Sequence, residues 1–531
     1  MNAELLLKIT LTKPQLGMLV SVSFCMALAM AVGFIYAKKT RDVGEFYLAG
    51  RQLSPFVTAM SAECSDMSAW LFLVLPAMAY ASGVANAGWT AISIVIGTYF
   101  NWLITARRLR NYSAHIDTIT VPDFLSERYR EKRKTLSLLS VLVMIVFYIP
   151  YIASSFAACG KLFSVLFGSD YRYAMLASGL AILAYTLIGG FNAVSNTHCV
   201  QAAIILIALV IALLFGVQQA GGFEAVKANA AALPGYLGLR DIYDSASGAS
   251  ADYKFINSSG EDIDILSKVP WILGYIGMPH ILVRFMAIEN PRRLATSRRL
   301  GTGFAAIIMT LAIFVGIAFN GMVNSSQVVG ALEDNQTIFI SLATLMAENS
   351  MFFALVAGVI VSGIVATAMS SADSQLLAAS SAISENVIGN AFKIKDATGK
   401  KTMLIARLTL VVICLLAIAV AWDSNSKVLD ILVFAWAGFG ASLGPTMLLA
   451  LFWKRSNKYG AVFGMVAGAA SVFIWDLIVA PMLGDNFEQY ALIPAFLCGL
   501  LVNLVVSLIT KKPDDEIMME FEQVQDMSRA S

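Results

Sequence analysis

The stretch SAECSDMSAW, residues 61–70, lies inside a long apolar segment, with LSPFVTAM before it and LFLVLPAMAYA after it. A segment of this length and composition is typical of a membrane-spanning helix, yet Glu63, Ser65, Asp66 and Ser68 all fall within it. Ionisable groups inside a span are costly, and by default they mark a substrate or ion pathway. Serines that bond to their own helix, with Asp66 capping a kink, form the alternative. We favour a broken helix whose unwound backbone exposes carbonyl oxygens to a cation.

The composition is that of an integral membrane protein. Of the 531 residues 58% are hydrophobic and only 14% are charged, against about 25% charged residues in ordinary soluble domains. The net charge of +2 gives no case for nucleic-acid binding. The six cysteines lie in apolar segments and form no CxxC or Cys/His cluster, so we expect neither disulfides nor a resident metal centre. A Gly-rich loop of the GxxxxGK[ST] type, which would indicate ATP use, does not occur.

The apolar segments predict an all-α polytopic protein with thirteen transmembrane helices, because only helices satisfy their own backbone groups in lipid. Basic clusters follow every odd-numbered segment except the fifth, whose following turn is very short. The positive-inside rule makes those loops cytoplasmic, which places the N-terminus outside and the C-terminus inside. The segments are 15–37, 54–80, 84–106, 135–165, 171–189, 192–219, 266–287, 300–323, 351–385, 403–422, 428–453, 459–482 and 488–510.

A second interruption lies in the seventh segment, WILGYIGMPHILVRFM, which begins at Trp271. Gly274, Gly277 and Pro279 weaken the helix within six residues, and the proline removes one backbone donor outright. Trp271 and Tyr275 are four residues apart and therefore share a helical face before the break. They could be an aromatic pair at the membrane interface, but we favour the wall of a pocket for a small ligand.

The two interruptions are five segments apart, and the basic loops give them opposite orientations. This is the signature of an inverted repeat with its binding site near the membrane midplane. Tyr151, in FYIPYIASS, is a candidate for a further aromatic wall. The predicted divisions are an extra helix and loop (1–53), the first five-helix repeat (54–219), an extracellular loop (220–265), the second five-helix repeat (266–453), two extra helices (454–510) and a cytoplasmic tail (511–531).

A third polar constellation, VATAMSSADSQLLAASSAIS, occupies the ninth segment. Thr367, Ser370 and Ser371 have the i, i+3, i+4 spacing of one helical face, and Asp373 and Ser374 extend the stripe. Sodium is a hard cation that takes oxygen ligands, as calcium and magnesium do. Small residues also permit close helix packing, but packing has no use for a carboxylate. This face could therefore complete a cation cage begun at the first break.

The chain resembles the sodium/solute symporter family, and within it the branch that carries proline, from end to end. The resemblance rests on GEFYLAGRQLSPFVTAMSAECSDMSAW, TLIGGFNAVS, GYIGMPHILVRFM, FAWAGFGASLGP and KYGAVFGMVAGA. It implies a LeuT-type five-plus-five inverted repeat with three additional spans, which agrees with the segment count. It also implies sodium as the co-transported ion, a small-molecule substrate such as proline, and a location in the bacterial inner membrane.

The resemblance also implies roles for particular residues. For sodium it implies three backbone carbonyls and two hydroxyls, those of Cys64, Met67 and Thr367 and those of Ser370 and Ser371. For solute binding it implies Tyr151, Trp271, Tyr275 and Pro279, with Ser68 beside them. Asp66 matches a carboxylate needed for sodium coupling.

Three positions depart from the family pattern. Glu63 stands where a small residue is usual, His198 where an aspartate is usual, and Asp373 where a hydroxyl is usual. We hypothesise a charge rearrangement in which Asp373, with Ser374 next to it, meets His198 across the sixth and ninth segments. A histidine there could add proton sensitivity. Alternatively His198 faces a cytoplasmic crevice and has no such role.

Taken together, the sequence predicts a non-enzymatic secondary transporter that imports proline or a similar small amino acid with sodium. The same machinery with another small amino acid or a carboxylate as cargo, or with protons as the driving ion, stays open. A channel would instead need a continuous polar pore, and a sensor would need an attached signalling domain. We expect the lipid bilayer and the small solute as partners, and no obligate protein partner is evident.

Overall fold

The computed structural model describes residues 11–38, 42–244, 247–252, 268–325, 332, 334–389, 400–423, 428–483 and 491–530. In this part of the chain the architecture is almost entirely helical. The helices before residue 220 are α1 (Lys13–Ala37), α2 (Val43–Leu48), α3 (Pro55–Met67), α4 (Trp70–Leu73), α5 (Leu75–Ser82), α6 (Val84–Phe100), α7 (Ala106–His115), α8 (Val121–Arg128), α9 (Thr135–Phe167) and α10 (Tyr171–Gln219).

The later helices begin in the long loop and run to the end of the chain. They are α11 (Phe223–Ala232), α12 (Pro270–Gly274), α13 (Pro279–Ala287), α14 (Leu294–Asn324), α15 (Ile338–Asn349), α16 (Met351–Ile383), α17 (Lys400–Val420), α18 (Val428–Phe452), α19 (Lys458–Ile474), α20 (Ala480–Leu483), α21 (Leu492–Ile509) and α22 (Asp515–Ala530). π-helical turns follow α6, α16 and α19, at Asn101–Thr105, Ser384–Gly389 and Trp475–Val479. Short 3-10 turns lie at Ala49–Arg51, Tyr275–Gly277, Pro291–Arg293 and Asn335–Thr337.

The first predicted break occurs within the quoted stretch. Helix α3 starts with Ser54 as its N-cap and Pro55 at its first turn, which is a favourable helix start. It ends at Met67, because Ser68 takes φ 41° and ψ −177°, a conformation that no helix contains. The chain resumes at Trp70, and the two halves are bent by 62°. The backbone around Ser68 is therefore released from helical hydrogen bonding in the interior of the protein.

The second predicted break lies between α12 and α13. A 3-10 turn covers Tyr275–Gly277, and Met278 is extended with φ −83° and ψ 103° before Pro279 starts α13. Gly277 permits a close approach by α18, since a Cβ there would lie 2.3 Å from the Phe439 carbonyl oxygen. A bulkier residue would push the broken segment away from α18.

A third irregularity interrupts α10 at Gly190. Its φ of 59° and ψ of −163° separate two helical stretches that otherwise run on as one 49-residue element. A Cβ at this position would lie 2.8 Å from the Phe46 carbonyl oxygen, so only glycine fits. The boundary between the predicted segments 171–189 and 192–219 falls here.

Among the described residues, ten helices are long and apolar enough to cross a membrane, or eleven if the bent pair around Ser68 counts as one span. Thirteen spans were predicted. The difference has two physical origins: the predicted segments 171–189 and 192–219 join end to end across the kink at Gly190 and so count as one 49-residue element, and the helices α12 and α13 are individually too short, at five and nine residues.

The long loop after α10 contains α11 and a two-stranded antiparallel hairpin, β1 (Asp241–Asp244) with β2 (Ala249–Asp252). The hairpin is preceded by Tyr236, whose carbonyl oxygen accepts a hydrogen bond from Val84 N at 2.7 Å. Residues 253–267, most of which belong to the predicted extracellular loop 220–265, lie outside the described part of the chain.

The tail folds back onto the basic loops as the surface helix α22. Arg130 pairs with Glu516 at 2.6 Å and with Glu520 at 2.7 Å, and Lys454 pairs with Glu522 at 2.9 Å. These ion pairs attach α22 to the loops that follow α8 and α18.

Candidate functional site

A cavity of about 270 Å³ lies where the two helix breaks meet. Side chains from six parts of the chain line it, so it depends on the tertiary fold and not on one segment. The lining residues are Asp66, Met67, Ser68, Trp70, Ile94, Tyr151, Trp271, Tyr275, Met309, Leu432 and Trp436.

Indole and phenol rings form most of the cavity wall. The ring of Trp271 lies 5.4 Å from that of Trp436 and 6.1 Å from that of Trp70, and Tyr275 meets Trp436 edge to face at 5.2 Å. The predicted residues Tyr151, Trp271 and Tyr275 are thus together, whereas Pro279 starts α13 next to the break and does not line the cavity. Such flat, rigid walls suit a compact ring-shaped or short apolar side chain.

Polar atoms point into this otherwise apolar space. Tyr275 Oη donates a hydrogen bond to Asp66 Oδ2 at 2.5 Å, and this bond joins the first break to the second. Among the described residues, Asp66 Oδ1, Tyr151 Oη and Trp436 Nε1 are buried without a hydrogen-bond partner. Buried polar groups are normally paired, so these three atoms are candidates for contact with a polar ligand.

The residues predicted to bind a cation lie together beside the first break. Ser370 Oγ donates to the Cys64 carbonyl oxygen at 2.7 Å and also lies 3.2 Å from the Thr367 carbonyl oxygen. Ser371 Oγ accepts a hydrogen bond from the backbone N–H of Ser68 at 3.0 Å. All the groups in this cluster are oxygens of carbonyls and hydroxyls, which is the chemistry that a hard cation requires.

A buried polar network lies one helical turn further along α16. Asp373 accepts hydrogen bonds from Tyr185 Oη, from Ser374 Oγ at 3.0 Å and from His198 Nε2 at 3.1 Å. His198 Nδ1 meets Ser61 Oγ at 3.0 Å. Both His198 and Asp373 have no solvent exposure, so the alternative in which the histidine faces a crevice does not describe this structure.

Arg284 completes the network from α13. Its Nη2 donates to Ser374 Oγ at 2.5 Å, its Nε donates to Ser61 Oγ at 3.2 Å, and its Nη1 donates to the His280 carbonyl oxygen. The network therefore connects both broken helices with α10 and α16. Arg284 and Tyr185 were missed from the sequence, although an arginine inside the apolar run HILVRFM was itself a signal of a buried functional group.

Glu63 belongs neither to the cation cluster nor to the network around Asp373. Its carboxylate accepts hydrogen bonds from Thr98 Oγ1 at 3.2 Å and from Trp102 Nε1 at 3.1 Å, which are on α6 and on the π-helical turn after it. It is buried, and it faces α6 while the cation cluster faces α16. Trp436 was also missed, although it lies in the WAGFGA motif that carries the family resemblance.

Comparison with known proteins agrees with this geometry. The sequence model of the sodium:solute symporter family matches residues 46–468, most of the chain, and the protein belongs to that family. It is 35% identical over 496 residues to an osmoregulated proline transporter of Bacillus subtilis, covering 93% of this chain and 95% of the relative. It is 36% identical over 506 residues to a sodium/proline symporter of Staphylococcus aureus, covering 94% of each. A sodium/proline symporter of Haemophilus influenzae is 36% identical over 502 residues and is covered to 95%.

Solved structures show the same fold. A Na⁺-coupled sialic acid symporter in a substrate-bound, outward-open state superposes with a TM-score of 0.78 at 16% identity, covering 93% of this chain and 98% of that one. A nucleobase-cation-symport-1 family transporter in a closed conformation gives a TM-score of 0.50 at 12% identity, covering 90% and 98%. The chain is therefore a multi-pass membrane protein with the helical fold of secondary transporters.

Proposed function

We propose that this protein imports proline, or a closely similar small amino acid, together with sodium by alternating access. The observation that carries the proposal is the position of Ser68. Its backbone N–H contacts the hydroxyl of the cation cluster, and the same residue lines the aromatic cavity. An ion in the cluster and a solute in the cavity would thus share one stretch of unwound backbone. The proline carriers among the relatives support the choice of cargo.

The proposed architecture has thirteen spans in the plasma membrane. Dividing α10 at Gly190 adds one span to the eleven counted above, and counting Pro270–Ala287 as one broken span adds another. Residues 54–219 and 266–453 would form the two inverted five-helix repeats, with one span before them and two after. The basic loops would face the cytoplasm, with the N-terminus outside.

Sodium is the proposed driving ion. Five oxygens are available in or next to the cluster, namely the carbonyls of Cys64, Met67 and Thr367 and the hydroxyls of Ser370 and Ser371. Within the described residues no group of three or more His, Cys, Asp or Glu side chains could hold a metal ion. A neutral cage of hydroxyls and carbonyls suits a monovalent ion that must leave again, whereas clustered carboxylates would favour tight divalent binding.

The cavity offers what a small zwitterion needs. The free oxygen of Asp66 accepts a hydrogen bond, Trp436 Nε1 donates one, and Tyr151 Oη can do either. The rings of Trp271 and Trp436 would cover the apolar part of the solute. A sugar would need more hydrogen-bonding groups than these to replace its hydration.

Accumulation follows from the ion gradient. Moving one charge across 100 mV releases about 2.3 kcal/mol, and a tenfold sodium gradient adds about 1.4 kcal/mol. Together they could sustain roughly 500-fold accumulation of a neutral zwitterion per sodium ion. Coupling requires that sodium and the solute favour the same conformer. The backbone at Ser68, which both ligands would contact, meets that requirement.

The network around Asp373 is proposed as a second coupling element, with His198 and Ser374 as its members. It contains one carboxylate, one histidine and one arginine, all buried, so replacing any of them would disturb the contacts that join α10, α13 and α16. Glu63 would act from the opposite side of α3 by fixing that helix against α6.

Uptake into proteoliposomes tests the proposal. An inward sodium gradient should drive radiolabelled proline uptake, Asp66→Ala should abolish it, and counterflow should saturate. Uptake that ignores the sodium gradient, or full activity of Asp66→Ala, would contradict the assignment. A panel of unlabelled solutes identifies the cargo, since a different amino acid or a carboxylate would compete better than proline. Unsaturable flux would indicate a channel.

A further inference from the structure

A second, larger cavity lies at the end of the molecule that carries the basic loops. It is open-sided, has about 810 Å³ of empty volume, and forms between the π-helical turn after α6, the starts of α7 and α14, the end of α18 and the tail helix α22. Three of its lining residues are arginines, and none of the described residues that line it is acidic. The lining residues are Trp102, Leu103, Ile104, Arg107, Arg108, Leu294, Ala295, Arg298, Phe452 and Ser528.

The arginine charges have no carboxylate partner among the described residues. Arg108 donates to the Leu451 carbonyl oxygen at 3.0 Å and lies over the Phe452 ring at 4.2 Å, which are both neutral partners. Arg298 lies 5.1 Å over the Tyr99 ring, and its Nε is buried without a hydrogen-bond partner. Three guanidinium groups around one open space thus leave a local excess of positive charge.

Apart from Ser528, the rest of the wall is apolar. Leu103 is 42% exposed, and the neighbouring Phe100 and Leu300 are also exposed. These side chains come at the end of apolar helices next to the basic loops, the depth at which phospholipid headgroups lie. Phosphate matches the fork of guanidinium donors, and basic pockets between spans at the cytoplasmic side favour anionic headgroups.

We propose that this cavity binds an anionic phospholipid, with its phosphate held by Arg107, Arg108 and Arg298. The acyl chains would run along the exposed Leu103 and Leu300 towards the membrane interior. The volume and the apolar walls favour a lipid over free phosphate, which would use only the arginines.

The cavity wall is connected to the transport site. Trp102, which lines the cavity, donates its indole N–H to Glu63 at 3.1 Å. Glu63 directly precedes Cys64, whose carbonyl oxygen accepts the hydrogen bond from Ser370 at 2.7 Å. A bound lipid that fixes Trp102 would also stabilise the first broken helix. We therefore expect that anionic lipid, besides binding to this cavity, raises the rate of transport.

The binding test uses the purified full-length protein in a non-ionic detergent and a fluorescent short-chain phosphatidylglycerol. The double variant Arg107→Gln/Arg298→Gln should weaken binding about 30-fold, the loss expected for two charges at a membrane surface. Arg107→Lys/Arg298→Lys should retain most of the affinity. Arg299→Gln, an exposed neighbour that does not line the cavity, is the matched control and should bind like the parent protein.

Two further ligands separate the possible sources of phosphate. Phosphatidylcholine of the same chain length should bind at least tenfold more weakly than phosphatidylglycerol, and inorganic phosphate should not displace the lipid at millimolar concentration. Equal binding of phosphatidylcholine, displacement by phosphate, or unchanged binding by the double glutamine variant would each overturn the proposal. Retained sodium-dependent proline binding by the variant shows that it is folded.

Discussion

The hydrogen bond between Tyr275 and Asp66 is the most direct link between the two broken helices. Tyr275 Oη lies 2.5 Å from Asp66 Oδ2, and both side chains are buried. A buried hydrogen bond to a charged group contributes about 1.5–3 kcal/mol. Removing either partner should therefore weaken proline binding at saturating sodium by about 10- to 150-fold.

A double-mutant cycle tests whether the two groups act through this bond. Tyr275→Phe and Asp66→Asn keep the shape of each side chain, so neither opens a void. If the bond is what matters, the double variant should bind no more weakly than the worse single variant. The dissociation constant for proline is measured with radiolabelled ligand on the purified parent protein, on each single variant and on the double variant.

The control and the refuting result are equally specific. Tyr99→Phe removes a hydroxyl from a partly exposed tyrosine of α6 and should leave the affinity unchanged. Effects of the two site variants that simply multiply, to within about 0.5 kcal/mol, would show that the residues act independently and that the bridge between the breaks has no role in binding.

Further predictions concern the cation cluster, the second break and the buried histidine. Ser371→Ala should raise the sodium concentration for half-maximal uptake about 5- to 150-fold, because a buried partner of the broken backbone is lost. Ser362→Ala, whose hydroxyl bonds only within its own helix, should not. Gly277→Ala should abolish uptake, since its Cβ would lie 2.3 Å from a carbonyl oxygen of α18. Gly303→Ala is the control, because a Cβ there meets nothing within 4 Å, and it should be active. Equal activity of the two variants would refute the packing argument. His198→Gln removes the imidazole that contacts both Asp373 and Ser61 and should slow sodium-driven uptake, and an unchanged rate would exclude a role for this network in coupling.

The helix breaks could be predicted from the sequence because their cause is local. Polar residues around Ser68 and the Gly/Pro cluster before Pro279 weaken a helix wherever it is placed. The structure puts the interruptions at Ser68 and Met278, within the predicted stretches. The placement of Ser370 and Ser371 on the face of α16 that meets the first break was predictable for the same reason, since helical spacing alone aligns their hydroxyls.

The partners of buried charges could not be predicted in the same way. Tyr185 contacts Asp373 and Arg284 contacts Ser374, although 188 and 90 residues separate the two members of each pair in the sequence. No local pattern fixes which apolar helices pack together. The direction of Glu63 was unpredictable too, because the sequence places it one residue before Cys64 without showing which neighbour its side chain faces. The boundary between the predicted segments 171–189 and 192–219 was predictable, by contrast, and the structure places a non-helical residue, Gly190, between them.

The oxygen that Ser370 contacts on Cys64 belongs to the main chain. Any amino acid at position 64 would present that same atom, so side-chain mutation cannot delete it. In the proposed mechanism, substitutions among the rings around the neighbouring cavity would therefore change the carried solute without altering this oxygen beside the ion. A broken helix would thus allow related transporters to keep one driving ion while they diverge in the solute that they carry.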